Sequence, residues 1–410
     1  MSKKRIVITG IGVIAPNGIG KEQFWAALKE GRSGIKPISR FDTNGFKCKL
    51  AGEINNFNPS VFLGSKGLKN LDRTTRLLCS TAKLAIDDAK LIINYKNTDD
   101  IGVCTGTTLS SLWNIAEFDK GVIKDGPLFS DASLFPGTVV NAASSQVSIR
   151  FNIQGFNSTI STGYPSGLDA LKYAIDFIRL GRIKAVLLGG VESLSLASFI
   201  GFYRLGFLAG IRGKEISCPF DKRRNGIILS EGAAVIVIED EEYAKRRKAN
   251  IYAEVKGIGN CFDPYKMGKY NPEANGLRES MKKAIRDSGL RITDIDYISA
   301  SANSVPMQDR LETEVIKSVF GRSAYNIPVS SIKSMIGDPF SAGGLLQIAA
   351  SVGSMVNGFV SPTINYRVKD DDCDLDYVAN KSRMARINNI LINNFGPGGN
   401  NASVVISKYH

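Results

Sequence analysis

The run S-T-G-Y-P-S-G-L-D-A-L, from Ser161 to Leu171, reads as a tight turn leading into a helix, with Tyr164 at the apex. Turns of this shape usually hold up a nucleophile. A tyrosine is a poor one. Its phenol ionises near pH 10, so about one molecule in a thousand is charged at neutral pH. Proton-transfer partners are scarce as well. The only histidine is His410, the last residue, and chain ends are commonly mobile. The folded body therefore has no imidazole for acid–base work. Cys48, Cys79, Cys104, Cys218, Cys261 and Cys373 are scattered, with no C-x-x-C pair. They read as reduced core thiols of a cytosolic protein, and no metal site is expected because paired ligand spacing is absent. The run Gly396-Pro397-Gly398-Gly399 matches no phosphate-binding fingerprint and reads as backbone turns.

These residues need elements to hold them. Apolar, β-branched runs at 5–10, 185–190, 233–239, 251–257, 388–393 and 402–407 read as buried strands. Between them, Leu78, Ala82, Ala85 and Ala89 fall on one helical face, as do Leu168, Leu171, Ile175 and Ile178 after the turn. Further helical patterns cover about 273–288 and 309–320. The alternation predicts a layered α/β architecture. The stretches Arg5–Val13 and Ile251–Gly259 both run strand, then glycine, which hints at two similar halves, 1–250 and 251–410. The 410 residues, 43% hydrophobic, suffice for two domain-sized cores or one fused core. No apolar run approaches the roughly 20 residues of a membrane span. The first ten residues read as an opening strand rather than a signal peptide. A net charge of +13 fits a plain soluble surface or an acidic partner. No recognition-helix signature or interleaved arginine–aromatic pattern is present, so a nucleic-acid partner is not expected.

Four ordered stretches carry a resemblance that runs nearly end to end. They are R-I-V-I-T-G-I-G-V-I-A-P-N-G from Arg5, P-F-D-K-R-R-N-G-I-I-L-S-E-G-A-A-V-I-V-I-E from Pro219, V-S-S-I-K-S-M-I-G from Val329 and N-F-G-P-G-G from Asn394. Together they resemble the β-ketoacyl synthases of the thiolase fold. The resemblance implies a five-layer αβαβα fold of two pseudo-repeated halves, and an obligate dimer. Fold alone does not imply activity.

In active members of that family the turn carries a cysteine where this chain has Tyr164. The helix N-terminus behind it stabilises a thiolate, which takes the acyl chain from its carrier protein. The family's second motif has a histidine at the position matching Ser301, and its third has one at the position matching Asp338. Those imidazoles hydrogen-bond the thioester oxygen as malonyl loses CO2. Ser301 offers one neutral donor. Asp338 brings a like charge to the place where the enolate forms. At position 397 the family usually has a phenylalanine whose N–H completes the oxyanion hole, and Pro397 has no N–H. Losing one such donor commonly costs about 10²–10³ in rate. Lys333, Asp309 and Glu312 match the family's polar network. They read here as structural, since D-x-x-E at a helix start also suits the helix dipole. On this reading no catalytic residue remains, and Tyr164 fills the pocket.

One subclass departs from the family in this way: the chain-length factor of type II polyketide synthases, a ketosynthase-like subunit without the catalytic cysteine. The segment from Asp338 to Gly344 resembles it. A departure is that such factors often carry glutamine where this chain has Tyr164. The resemblance implies two partners: an active ketosynthase subunit in a heterodimer, and an acyl carrier protein bearing malonyl or the polyketide chain. Carrier proteins are typically acidic, which suits the basic charge. No cofactor is implied. Ser111, Asn114 and Phe118 are the implied tunnel residues, and their i, i+3, i+7 spacing puts them on one helix face. Small Ser111 would admit a long chain and Phe118 would bound it. The same face also suits a dimer interface. A self-sufficient β-ketoacyl synthase or acyltransferase with unorthodox residues, and a homodimeric scaffold, are the alternative readings.

Overall fold

The computed structural model describes residues 4–410. Five principal strands come from the first half of the chain: β1 (Ile6–Ala15), β2 (Ile101–Gly106), β3 (Asn157–Ile160), β4 (Ala185–Glu192) and β5 (Gly232–Asp240). They lie in the order β3-β2-β4-β5-β1. Five more follow: β6 (Ala253–Phe262), β7 (Tyr297–Ser299), β8 (Val329–Ser330), β9 (Asn389–Phe395) and β10 (Asn400–Lys408). Their order is β8-β7-β9-β10-β6, the same topology repeated. In each set the first strand runs antiparallel to the fifth and the fifth antiparallel to the fourth. The remaining pairings are parallel. The two sheets join through a short seam, where Ile6–Ile8 of β1 pair with Ala253–Val255 of β6.

The helices complete the layers. They are α1 (Arg73–Ala89), α2 (Leu112–Asp125), α3 (Ala142–Phe151), α4 (Ser166–Arg179), α5 (Asn275–Ser288), α6 (Pro306–Phe320) and α7 (Gly343–Asn357). Helix α1 covers the outer side of β1, β4 and β5, while α5 covers β6, β9 and β10, with α6 beside it. Helices α4 and α7 pack on each other and on strands from both sheets. The result is the five-layer αβαβα thiolase-like sandwich. Leu168, Leu171, Ile175 and Ile178 of α4 have no solvent exposure. Helix α7 is buried all round from Gly343 to Met355, as a helix walled on both sides must be.

One detail differs from the sequence reading. The first strand of each half does not stop at its glycines: β1 runs through Gly10 and Gly12, and β6 through Gly257 and Gly259. A Cβ on Gly12 would lie 2.1 Å from the Thr81 carbonyl oxygen of α1. A Cβ on Gly259 would lie 2.2 Å from the Ser280 carbonyl oxygen of α5. At equivalent places in both halves, the outer helix presses on bare strand backbone, so glycine marks a close approach rather than a turn.

The six cysteines are unpaired, and all but Cys261 are buried. Burial pushes the Cys79, Cys104, Cys218 and Cys373 thiols up to about 12. They are inert core groups rather than reactive thiolates. Among the described residues no helix is long and apolar enough to cross a membrane. Nor does any group of three or more His, Cys, Asp or Glu there form a metal site.

The close approach is open to test by guanidinium denaturation. Gly12→Ala is expected to cost about 2 kcal/mol or more through overpacking. Gly121→Ala, in α2 with nothing within 4 Å of the new methyl, is expected to add about 0.5–1 kcal/mol. Equal effects at the two positions would contradict the packing described.

Candidate active site

The elbow lies where β3 leaves the first sheet and α4 begins. Gly163 turns the chain with φ of +85°, a conformation glycine adopts without strain. The turn is tied down locally. Ser166 Oγ donates to the Gly163 carbonyl at 2.6 Å and accepts from Thr162 N at 2.9 Å. Thr108 Oγ1 donates to the same carbonyl at 3.0 Å. The next residue, Tyr164, is only 9% exposed.

Residues from distant parts of the chain enclose the Tyr164 ring. Phe340 meets it edge-on at 5.1 Å between centroids, and Phe202 stacks on Phe340 at 4.6 Å. Lys333 Nζ sits 5.7 Å from the ring centre. The ring lies so close to the backbone of Gly396 that a Cβ there would come within 2.2 Å of Tyr164 Cδ2. The phenol oxygen is buried without a hydrogen-bond partner among the described residues. Burial, then the charge of Asp338, raises its pKa well above the usual 10. A neutral, enclosed phenol cannot attack a thioester at neutral pH.

The other positions of the expected triad are also committed. Ser301 has no exposed surface. Its hydroxyl donates to the Phe395 carbonyl at 3.2 Å and accepts from Phe395 N at 3.2 Å and from Gln308 Nε2 at 3.2 Å. Its one proton therefore serves β9 rather than a substrate oxygen. Asp338 does not stand as an isolated charge. Lys333 Nζ lies 3.4 Å from Oδ1, Asn303 Nδ2 donates to Oδ2 at 2.7 Å, and Phe340 N donates to Oδ1 at 3.1 Å. Pro397 sits at the tip of a turn closed by the Gly398 N to Gly396 carbonyl bond at 2.8 Å, and it presents no donor.

Asp309 and Glu312 project from α6 and clamp the loop that follows β7. Asp309 accepts from Phe220 N at 2.8 Å and Asn303 N at 3.0 Å. Glu312 accepts from Ser301 N at 2.9 Å, Ala302 N at 2.8 Å and Asn393 Nδ2 at 3.1 Å. Burial raises Asp309 to about 6 and Glu312 to about 7, against these hydrogen bonds. The recess bordered by Tyr270, Phe395 and Gly396 measures about 10 Å³, about the space of one water. Tyr270 helps close it and donates to Gln308 Oε1 at 2.6 Å. Tyr270 lies in none of the motifs read from the sequence, and Phe340 and Gly396 lie within motifs that do not mark them as packing on Tyr164.

The three tunnel candidates separate. Ser111 immediately precedes α2. Asn114 is buried, and its amide donates to the Gly137 carbonyl at 2.9 Å. The Phe118 ring meets Phe135 at 6.0 Å. A cavity of about 440 Å³ opens beside this helix, and of the three only Asn114 lines it, together with Leu71, Trp113, Leu134 and Leu194. Arg73 stands in its wall with its charge already matched by buried Glu231, through bonds of 2.6 and 2.5 Å.

The raised carboxyl of Glu312 has a measurable consequence. A folded-state pKa of about 7 against an ordinary 4.5 means that the folded chain holds a proton the unfolded chain has lost. This group's contribution to stability is full below about 4.5 and is lost as pH rises through about 7. Glu312→Gln is therefore expected to shrink the loss of stability between about pH 5 and about pH 7.5, read from denaturation midpoints. An unchanged pH slope would contradict the burial argument.

Known proteins resemble this chain over its whole length. Two family models match: "Beta-ketoacyl synthase, N-terminal domain" over residues 3–244 and "Beta-ketoacyl synthase, C-terminal domain" over 252–367. The 3-oxoacyl-(acyl-carrier-protein) synthase 2 of Coxiella burnetii is 37% identical, covering 100% of this chain and 99% of its own. Among solved structures, the ishigamide ketosynthase/chain length factor superposes with a TM-score of 0.94 at 31% identity, over the full length of both chains. A type II polyketide synthase acyl-carrier protein in complex with its ketosynthase, bound to the hexaketide, gives 0.92 at 29%, again over full lengths.

Proposed function

The chain belongs to the β-ketoacyl synthase family, and from that premise we propose that it is a non-catalytic chain-length factor of a type II polyketide synthase. The observation that carries this reading is the Tyr164 ring seated against Gly396, where an acyl-enzyme would need space. No thiol stands at the elbow, the hydroxyl of Ser301 is spent on β9, and Asp338 is bound to Lys333. Such a subunit works by shape. An active ketosynthase supplies the nucleophile and the imidazoles, and this chain walls the space into which the product grows.

Several features support that role. The cavity beside α2 lies within the range of small-molecule sites. Leu71, Trp113, Leu134 and Leu194 give it apolar surface beside charged Lys69, Arg76 and Asp131, and Asn114 is the one residue of the proposed tunnel set, Ser111, Asn114 and Phe118, that lines it. Strand β3 is the last strand of its sheet, with an edge free to pair with a partner strand. The segment after α2 exposes Leu128 by 91% and Phe129 by 80%, apolar surface of the kind that marks association sites. We take the partners to be an active ketosynthase and an acidic acyl carrier protein, and the halves to be 1–250 and 251–410.

A second reading, a self-sufficient synthase, has the names of the curated relatives in its favour. The two readings divide on partner dependence. Polyketide formation from malonyl-loaded carrier protein is expected only when this chain is co-expressed with its ketosynthase. Full turnover by this chain alone would favour the second reading. In the pair, Leu134→Trp is expected to narrow the cavity and shorten the product by at least one two-carbon unit, read by mass spectrometry, and unchanged length would remove the cavity from the account. Tyr164→Cys in the isolated chain restores a thiol but neither the two imidazoles nor the N–H missing at Pro397. Its turnover is expected to stay at least about 10²-fold below that of the pair.

A further inference from the structure

A second cavity, of about 620 Å³, lies between the two halves, lined by α4, α5 and β6. Lys172 and Arg179 of α4 stand on one wall and Lys283, Arg286 and Asp287 of α5 on the other, with the backbone of β6 at Ile258–Asn260 between them. The single carboxylate is already engaged, since Asp287 Oδ2 accepts from Ile258 N at 3.2 Å. Lys172 pairs with Asp176 on its own helix. Lys283 reaches only the Asn260 carbonyl, at 3.4 Å. Among the described residues, Arg179 and Arg286 have no carboxylate within ion-pair distance. Arg179 Nε is moreover buried with no acceptor. A buried guanidinium N–H left unpaired is costly, and with Lys172 paired to Asp176, the charges of Arg179, Lys283 and Arg286 still outnumber the one carboxylate, Asp287, in the recess. Both features call for an anion that the protein does not supply.

Size and spacing narrow the class. Seven residues of helix separate Lys172 from Arg179, a rise of about 10 Å. One phosphate does not span that distance, whereas a chain of phosphates does. The recess has the volume of a small-molecule site. We propose that this cavity binds a small molecule through a di- or triphosphate group, held by Lys172, Arg179, Lys283 and Arg286. A free nucleotide and coenzyme A both carry that chemistry. The site lies along α4 beyond the core-facing turns that follow Tyr164, and it stands whether or not the chain-length reading does.

Isothermal titration calorimetry on the full chain, with its partner if the two purify together, tests this. Pyrophosphate, ATP and coenzyme A are the probes, and pantetheine is the uncharged control. Saturable binding of one equivalent is expected for at least one anion and none for pantetheine. Tighter binding of coenzyme A than of ATP would assign the thioester cofactor, and the reverse order a nucleotide. Arg286→Glu, on an exposed residue with no described ion pair, is expected to weaken binding by about tenfold or more with an unchanged circular dichroism spectrum. Arg179→Met is expected to do the same. The proposal is overturned if no anion saturates, or if several equivalents bind and Arg286→Glu leaves the affinity unchanged.

Discussion

Helix α4 begins in the middle of the molecule. Sheets from both halves wall it, α7 packs along it, and its first residues, Ser166 to Leu168, are buried. Whatever side chain stands at the elbow must therefore be met by atoms from the whole chain. For Tyr164 these come from Phe340 ahead of α7, Gly396 after β9, and Lys333. The glycine at 396 is the tightest of these contacts. Any side chain there would collide with the tyrosine ring, so the two positions constrain each other, and the elbow is filled by a fitted aromatic cluster rather than left as a void.

The polar groups around that cluster hold the frame together. Glu312 and Asp309 still receive backbone N–H groups from the loop after β7. Lys333 still reaches into the centre, but it meets Asp338, a pair that is 1% exposed on both sides. Removing one partner of such a pair would leave a buried charge uncompensated, which is strongly destabilising. The pair and the carboxylate clamps hold the loops after β7 and β8 together, and they contribute to the frame whether or not any bond is made or broken at the elbow.

Much of the frame was legible in the residues, and the exceptions have physical causes. The long strands at 185–192, 232–240 and 400–408 show as β-branched runs because both faces are buried. Helix α4 shows because one face is apolar. Helix α7 does not, since its sequence GGLLQIAASVGSMVN is buried all round and has no amphipathic period. Strand β3 (N-S-T-I) is short and polar, and β8 has two residues, so neither stands out from a loop. The glycines of β1 and β6 looked like strand ends because a close helix approach leaves the same local signal as a turn. At the elbow, Tyr164, Ser301, Asp338 and Pro397 came from the resemblance to a family motif. Of the residues that seal it, Phe340 and Gly396 stand within sequence motifs and Tyr270 in none, but their packing around Tyr164 comes from segments about a hundred residues or more away and shows only in the fold. Likewise a charge of +13 is visible in the composition, but the meeting of α4 and α5 cations in one recess is not.

The account rests on Tyr164 being a neutral side chain that fills the elbow and takes no acyl group. The most direct measurement is intact-protein mass spectrometry of this chain alone after incubation with acyl- and malonyl-loaded carrier protein, with carbon dioxide release followed in the same tubes. The account predicts no added acyl mass and no carbon dioxide above the carrier-only control. An acyl adduct mapping to Tyr164, or carbon dioxide released by the isolated chain, would contradict it.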